Sequence, residues 1–235
     1  MKNSTSAILE KLCFSFAFIL ITILGNAQTY STAFGDWSTE WSSNSGIYQA
    51  TGGPGLYSFG STATDGQVNS RNFTSDGTTS GTNKSMMVGQ KLTIKVSAPI
   101  GGGRSGIQSG GRIGFALKNK TSFYNGGDAQ ARFFDADMLR FEYEGGQAAS
   151  QLVDGGGTIR TGMPGFGDFT NGQTYEVEVI SDKEFNFQVV SGSRLNIRSF
   201  TTTGQLQQIS IADLGLNRDG VFENLAISDM TTVGL

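Results

Sequence analysis

The sequence predicts an all-β protein built of two antiparallel sheets packed face to face. Three observations carry that prediction. Apolar and polar residues alternate with a period of two in five segments. Glycine is abundant between such segments, with 34 in the chain against three prolines. Beyond the first 27 residues, no stretch shows the 3.6-residue period of an amphipathic helix. A period of two leaves one face of a strand apolar and the other polar, and many such strands joined by glycine-rich turns make a sandwich. The glycines have no fixed spacing, which argues for turns and against a collagen-like repeat.

The first element is a leader rather than a strand. Lys2 and Lys11 give it a positive start, offset in part by Glu10, and residues 12–24 are nearly all apolar. That run is about a dozen residues long, where a membrane span needs about 20. Gly25 and Ala27 present the small side chains that signal peptidase admits. Residues 1–27 therefore read as a signal peptide and residues 28–235 as a single β-sandwich domain. No cysteine stands at the cleavage point to take a lipid anchor. The expected location is secreted or cell-surface, with no membrane span.

The strands follow in order. Residues 91–98 place Leu92, Ile94, Val96 and Ala98 on one face, and residues 112–118 do the same with Ile113, Phe115 and Leu117. Residues 138–144 align Leu139, Phe141 and Tyr143. Residues 174–180 align Tyr175, Val177 and Val179, and residues 184–190 align Phe185, Phe187 and Val189. The polar turn Ser181, Asp182, Lys183 joins these last two as a hairpin. Weaker candidates are 46–51, 56–59, 67–73, 130–134, 195–200, 206–211 and 221–228. In this register Phe115, Phe141, Val177 and Phe187 point between the sheets. Arg140, Glu142 and Glu144 then share a solvated outer face, balanced by Arg112 and Lys118. Two long loops remain, 75–85 and 145–174, and long loops on a compact sandwich are where binding concentrates.

The order of these features resembles a known superfamily. An aromatic-bearing turn with Phe34, Asp36, Trp37 and Trp41 precedes a short strand around Ile47 and Tyr48. The hairpin 174–190 matches a late hairpin, and 222–227 matches a closing strand that pairs beside the first. Together they are similar to the concanavalin A-like lectin/glucanase sandwiches, which include laminin-G-like domains. The resemblance spans residues 30–230 and implies a jelly roll of two curved antiparallel sheets. It further implies glycan binding on the concave sheet or along its rim. The glucanases of that superfamily carry E-x-D-x-x-E; here Glu142 and Glu144 stand two apart without the rest of the motif.

Composition excludes several chemistries. The single cysteine, Cys13, lies in the leader, and the chain has no histidine. That removes disulfides, His/Cys zinc sites and histidine-based nucleophilic catalysis from the mature domain. Without Lys2, Lys11 and Glu10, the 17 basic and 20 acidic residues become 15 and 19, a net charge of −4. A mildly acidic domain is a poor partner for nucleic acid. No cofactor is expected. Calcium is the one metal the oxygen donors would suit, through Asp128, Asp135 and Asp137.

Three functions fit: a non-catalytic carbohydrate-binding module with a glycan or cell-surface polymer as partner, a polysaccharide hydrolase using paired carboxylates, and a structural or adhesive surface domain. Glu142 and Glu144 sit roughly 6–7 Å apart along one strand. Retaining glycosidases need carboxyls about 5–5.5 Å apart on opposite sides of the sugar. For a binding module the expected ligand residues are Tyr124, Asn125 and Asp128 on one loop, with Arg160, Phe166 and Asp168 on the other. Each loop brings an aromatic face together with polar groups that hold hydroxyls. Trp37 and Trp41 read either as stacking platforms or as core.

Overall fold

The computed structural model describes residues 27–42, 47–48, 56–59, 66–98, 110–123, 133, 139–144, 150–154, 159–163, 172–181, 184–191, 194–201, 205–215 and 219–229. Among them the first strands are β1 (Gln28–Thr29), β2 (Ser38–Ser42), β3 (Ile47–Tyr48), β4 (Leu56–Phe59), β5 (Gly66–Asn72), β6 (Gln90–Ser97), β7 (Arg112–Lys118) and β8 (Leu139–Glu144). The second half of the chain adds β9 (Ser150–Val153), β10 (Ile159–Met163), β11 (Gln173–Val179), β12 (Glu184–Ser191), β13 (Arg194–Thr201), β14 (Gln208–Leu214) and β15 (Asp219–Asp229). A 3₁₀ turn, Phe34–Asp36, lies between β1 and β2.

The strands form two antiparallel sheets. Sheet A runs β13-β12-β11-β6-β15-β4-β3, with β1 also paired to β15 at Ala226 and Ile227. Sheet B runs β10-β9-β8-β7-β14-β5-β2. Neighbours far apart in sequence, such as β6 beside β15 and β14 between β7 and β5, give the jelly-roll wiring. The closing strand β15 pairs with β1, β4 and β6, whereas the short strand expected to lie beside it, at Ile47–Tyr48, is β3 and pairs with β4. The hairpin pairs Thr174 with Val190 and Val179 with Phe185.

Register aligns the apolar positions strand by strand. Val177 stands opposite Leu92 and Phe187, and Phe115 opposite Phe141 and Ile211. Four rings join the two sheets. Phe115 and Phe141 come from sheet B, Tyr175 and Phe187 from sheet A, with Phe141 and Tyr175 centred 4.4 Å apart and Phe141 and Phe187 5.3 Å apart. All four are buried in the main core, as the alternation predicts, and burial holds the Tyr175 hydroxyl well above its ordinary pKa.

The outer faces of the two sheets differ. On sheet A the outward positions of β6, β11 and β12 keep contact with water and carry a ladder of polar pairs: Lys91–Glu176 at 2.9 Å, Lys95–Glu223 at 2.9 Å and Gln188–Glu176 at 2.9 Å. On sheet B many outward positions away from the Arg112–Glu144 end are closed. Val68, Ala116, Ala212 and Leu214 form a second apolar cluster with Phe133, a residue of helical backbone from the segment between β7 and β8. Beside them lie buried polar groups: Ser70 hydrogen-bonded to Ser210, Gln208 donating to Asn72 Oδ1 at 2.8 Å, and Lys118 Nζ 3.0 Å from Glu40 Oε2. Gly114 fits this surface because any Cβ there would strike the Phe141 carbonyl oxygen.

Four expectations need correction. The outer face bearing Arg140, Glu142 and Lys118 is not solvated: these residues are 8 %, 2 % and 1 % exposed. Alternation reports polarity, and a third layer can cover polar residues that pair with one another. Phe133 is helical, not part of a strand at 130–134. The stretch 145–174 is not one loop, because β9 and β10 pair within it, with a bulge between Arg160 and Met163. Arg160 is therefore a residue of β10, the edge strand of sheet B, paired with Leu152 rather than carried on a loop.

Candidate functional site

Arg71 organises one rim of the sandwich. It sits near the end of β5 and is 3 % exposed. Its Nη1 donates to the Ser31 carbonyl at 2.7 Å and its Nη2 to the Gly77 carbonyl at 2.7 Å. Gly77 turns with φ +76°, a left-handed conformation that glycine adopts without strain. The guanidinium also lies 5.4 Å from the centre of the Tyr30 ring and 3.7 Å from Asp36 Oδ2. Burial pulls the Arg71 pKa down, opposed by the charge of Asp36. One side chain thus ties together β5, the segment entering the 3₁₀ turn, and the loop after β5.

That loop is ordered by its own chemistry. Asp76 accepts from the Thr78 amide and hydroxyl, each at 2.9 Å, and these bonds hold its carboxyl below the usual pKa. An isolated bridge pairs Thr74 with Asn83. Tyr30 donates its hydroxyl to the Thr74 carbonyl at 3.1 Å and packs edge-on to Phe73. Trp37 is 6 % exposed within the core and donates Nε1 to the Ser31 carbonyl at 3.3 Å. Its core role is therefore the one the structure assigns, although its edge still reaches the rim.

Between these pieces lies a cavity of about 220 Å³. Asp36, Trp37 and Ser38 line it together with Arg71 and Asn72 of β5, Thr79 and Asn83 of the loop after β5, and Phe123. Asn72 is fixed by donating Nδ2 to the Thr121 carbonyl at 2.8 Å. That bond anchors the segment leaving β7, so Phe123 reaches the cavity while staying 43 % exposed. An exposed ring beside a carboxylate, amides and hydroxyls is the arrangement expected of a sugar site. Ring faces pack on sugar C–H groups while the polar groups hold hydroxyls.

Of the ligand residues expected from sequence, Tyr124, Asn125, Asp128, Phe166 and Asp168 lie outside the described residues. So do the calcium candidates Asp128, Asp135 and Asp137. Among the described residues, no group of three or more His, Cys, Asp or Glu could hold a metal ion. Also among them, no helix is long and apolar enough to cross a membrane. In the chain, Phe123 immediately precedes Tyr124. Sequence reasoning used Asp36 only as part of the opening turn, met Asn83 only as the head of an Asn-Lys-Ser glycosylation sequon, and did not single out Phe123. These residues join the cavity through β5 and Arg71, which tie together segments far apart in sequence.

The paired carboxylates occupy a different place. Arg112 Nη2 lies 3.2 Å from Glu144 Oε2, and Arg140 Nε lies 3.3 Å from Glu142 Oε2. The balancing cations are thus in part those expected, but Glu142 is buried beneath the covered face. Burial pushes the Glu142 carboxyl up, against the opposing pull of Arg140 and Arg112. A carboxyl whose folded pKa exceeds its unfolded value takes up protons more readily when folded. Its contribution to stability therefore grows as pH falls from neutral toward the unfolded glutamate value, about 4.3. Wild type should gain on Glu142→Gln in urea midpoint between pH 7 and about 4.5. A wild type that loses stability relative to Glu142→Gln over that range would mean Glu142 ionises more easily in the fold than in the unfolded chain.

No protein-family model matches the chain, and no curated protein matches its sequence. Solved structures share its fold. The globular domain of T. cruzi calreticulin superposes with a TM-score of 0.54 at 12% identity, over 87% of each chain. Lectin UEA-II, in complex with galactose, gives 0.52 at 10% identity, over 87% of this chain and 98% of the lectin. The metal-free form of lectin I-B4 from Griffonia simplicifolia gives 0.51 at 8% identity, over 86% and 98%. The fold is thus a concanavalin A-like jelly-roll sandwich, and fold alone does not assign a ligand.

Proposed function

We propose that this concanavalin A-like sandwich is a secreted, non-catalytic carbohydrate-binding module whose partner is a glycan or cell-surface polymer. The rim cavity carries the reading: Phe123 offers a half-open ring beside Asp36, Asn83 and Thr79. Tyr124, Asn125 and Asp128 continue the chain from Phe123, and with Arg160, Phe166 and Asp168 they remain proposed contributors. A hydrolytic role is disfavoured because Glu142 is buried and ion-paired, and Glu144 already faces Arg112.

A glycan array probed with the protein displayed in many copies tests this, since single shallow sites bind weakly. Phe123→Ala should lose about 1–2 kcal/mol of binding, roughly five- to thirty-fold. The melting temperature should barely move, as befits a surface substitution. Tyr124→Ala should behave in the same way. An unchanged affinity in both variants would place the site elsewhere, and a collapse in melting temperature would make the rings structural. Export supplies a separate check. The first strand of the fold begins at Gln28, immediately after the proposed cleavage point. The mass of material recovered from the medium should match a chain starting at or near Gln28, and an intact Met1 would refute processing.

A further inference from the structure

We infer that the rim cavity takes the uncharged terminal residue of a glycan, held end-on, and discriminates against chains ending in a uronate or sulfate; this rests on the carbohydrate-binding reading above. Size is the first argument. Pockets that enclose drug-sized ligands run to about 300–1,000 Å³, and this one is about 220 Å³. It suits one sugar ring better than a stretch of polymer.

Charge is the second argument. Two charged groups line the cavity, and they are unequally available. Arg71 is 3 % exposed and commits one N–H of each terminal nitrogen to the Ser31 and Gly77 carbonyls. The Asp36 side chain is 32 % exposed. The more accessible charge is therefore the carboxylate, 3.7 Å from the Arg71 guanidinium. A carboxylate accepts hydrogen bonds from sugar hydroxyls and repels an anionic substituent brought against it, and such repulsion is a device for rejecting a ligand. Asn83 and Thr79 add neutral donors and acceptors, and the Phe123 ring supplies the apolar wall.

The experiment uses the intact protein, displayed in many copies, on matched glycans that differ only in whether the terminal residue is neutral, uronate or sulfated. Free methyl hexosides serve as competitors. Neutral termini should bind about tenfold or more better than their charged counterparts, and a methyl hexoside should displace the protein. Asp36→Asn should cut binding to neutral termini by about tenfold and shrink the discrimination against charged ones. Should Asp36→Asn unfold the domain, Asn83→Ala on an exposed side chain repeats the test for neutral binding. A preference for charged termini, or binding to polymer interiors that no methyl hexoside displaces, would overturn the inference and leave carbohydrate binding standing. Failure to bind any glycan would overturn both.

Discussion

Replacing Phe141 with alanine is expected to cost about 3–5 kcal/mol of folding stability, enough to threaten a domain of ordinary marginal stability. The side chain is 1 % exposed and sits at the crossing of the two sheets. It stacks on Phe187 at 5.3 Å, meets Tyr175 at 4.4 Å and stands beside Phe115 at 5.6 Å. Removing it leaves a void bounded by three large rings on two rigid sheets, so collapse around the gap is restricted and the cavity penalty adds to the lost transfer energy. Phe141→Leu, which refills most of the volume, should recover a large part of the loss. Guanidinium unfolding of the three proteins measures both values. A loss below about 1 kcal/mol for alanine would mean that the ring is not the bridge between sheets that its contacts describe.

That central cluster was legible because each ring lies on a strand with unbroken alternation. β6, β7, β8, β11 and β12 announce themselves in the sequence for the same reason. β1, β2, β9 and β10 do not. Ser150–Val153 and Ile159–Met163 are four and five residues long, and a short run cannot establish a period. β2 is bulged between Thr39 and Trp41, so its pattern slips by one residue. The covered outer face of sheet B was illegible for a deeper reason. Alternation separates polar from apolar positions, not wet from dry ones. Arg140, Glu142 and Lys118 look like solvated residues in sequence, and only their pairing partners make burial tolerable. The rim cavity was half legible. Phe123 stands one residue before the Tyr124 that sequence singled out, while the cavity's acid and amides come from segments that Arg71 and β5 bring together.

The second large effect follows from that covered face. Lys118→Met is expected to cost about 3–5 kcal/mol, and Glu40→Leu a similar amount, whereas the two together should cost far less than their sum. Lys118 closes β7 and Glu40 stands in β2, 78 residues apart in the chain, yet Nζ and Oε2 are 3.0 Å apart with the side chains 1% and 0% exposed. Each ion has given up its hydration, and the partner's charge is what offsets that loss. Deleting one partner leaves the other's charge buried with this 3.0 Å contact gone. Deleting both replaces two desolvated ions with two apolar chains, on a face that already buries Val68, Ala116 and Phe133. Buried pairs of this kind are often near neutral against apolar replacements, so their contribution lies in fixing which groups meet rather than in net stability. A double-mutant cycle in urea reads the coupling directly. Strictly additive losses would show that Lys118 and Glu40 are buried independently. A strongly coupled pair would show that the edge strand β2 is registered against the sheet in part by this contact, next to the turn that carries Asp36 into the rim cavity.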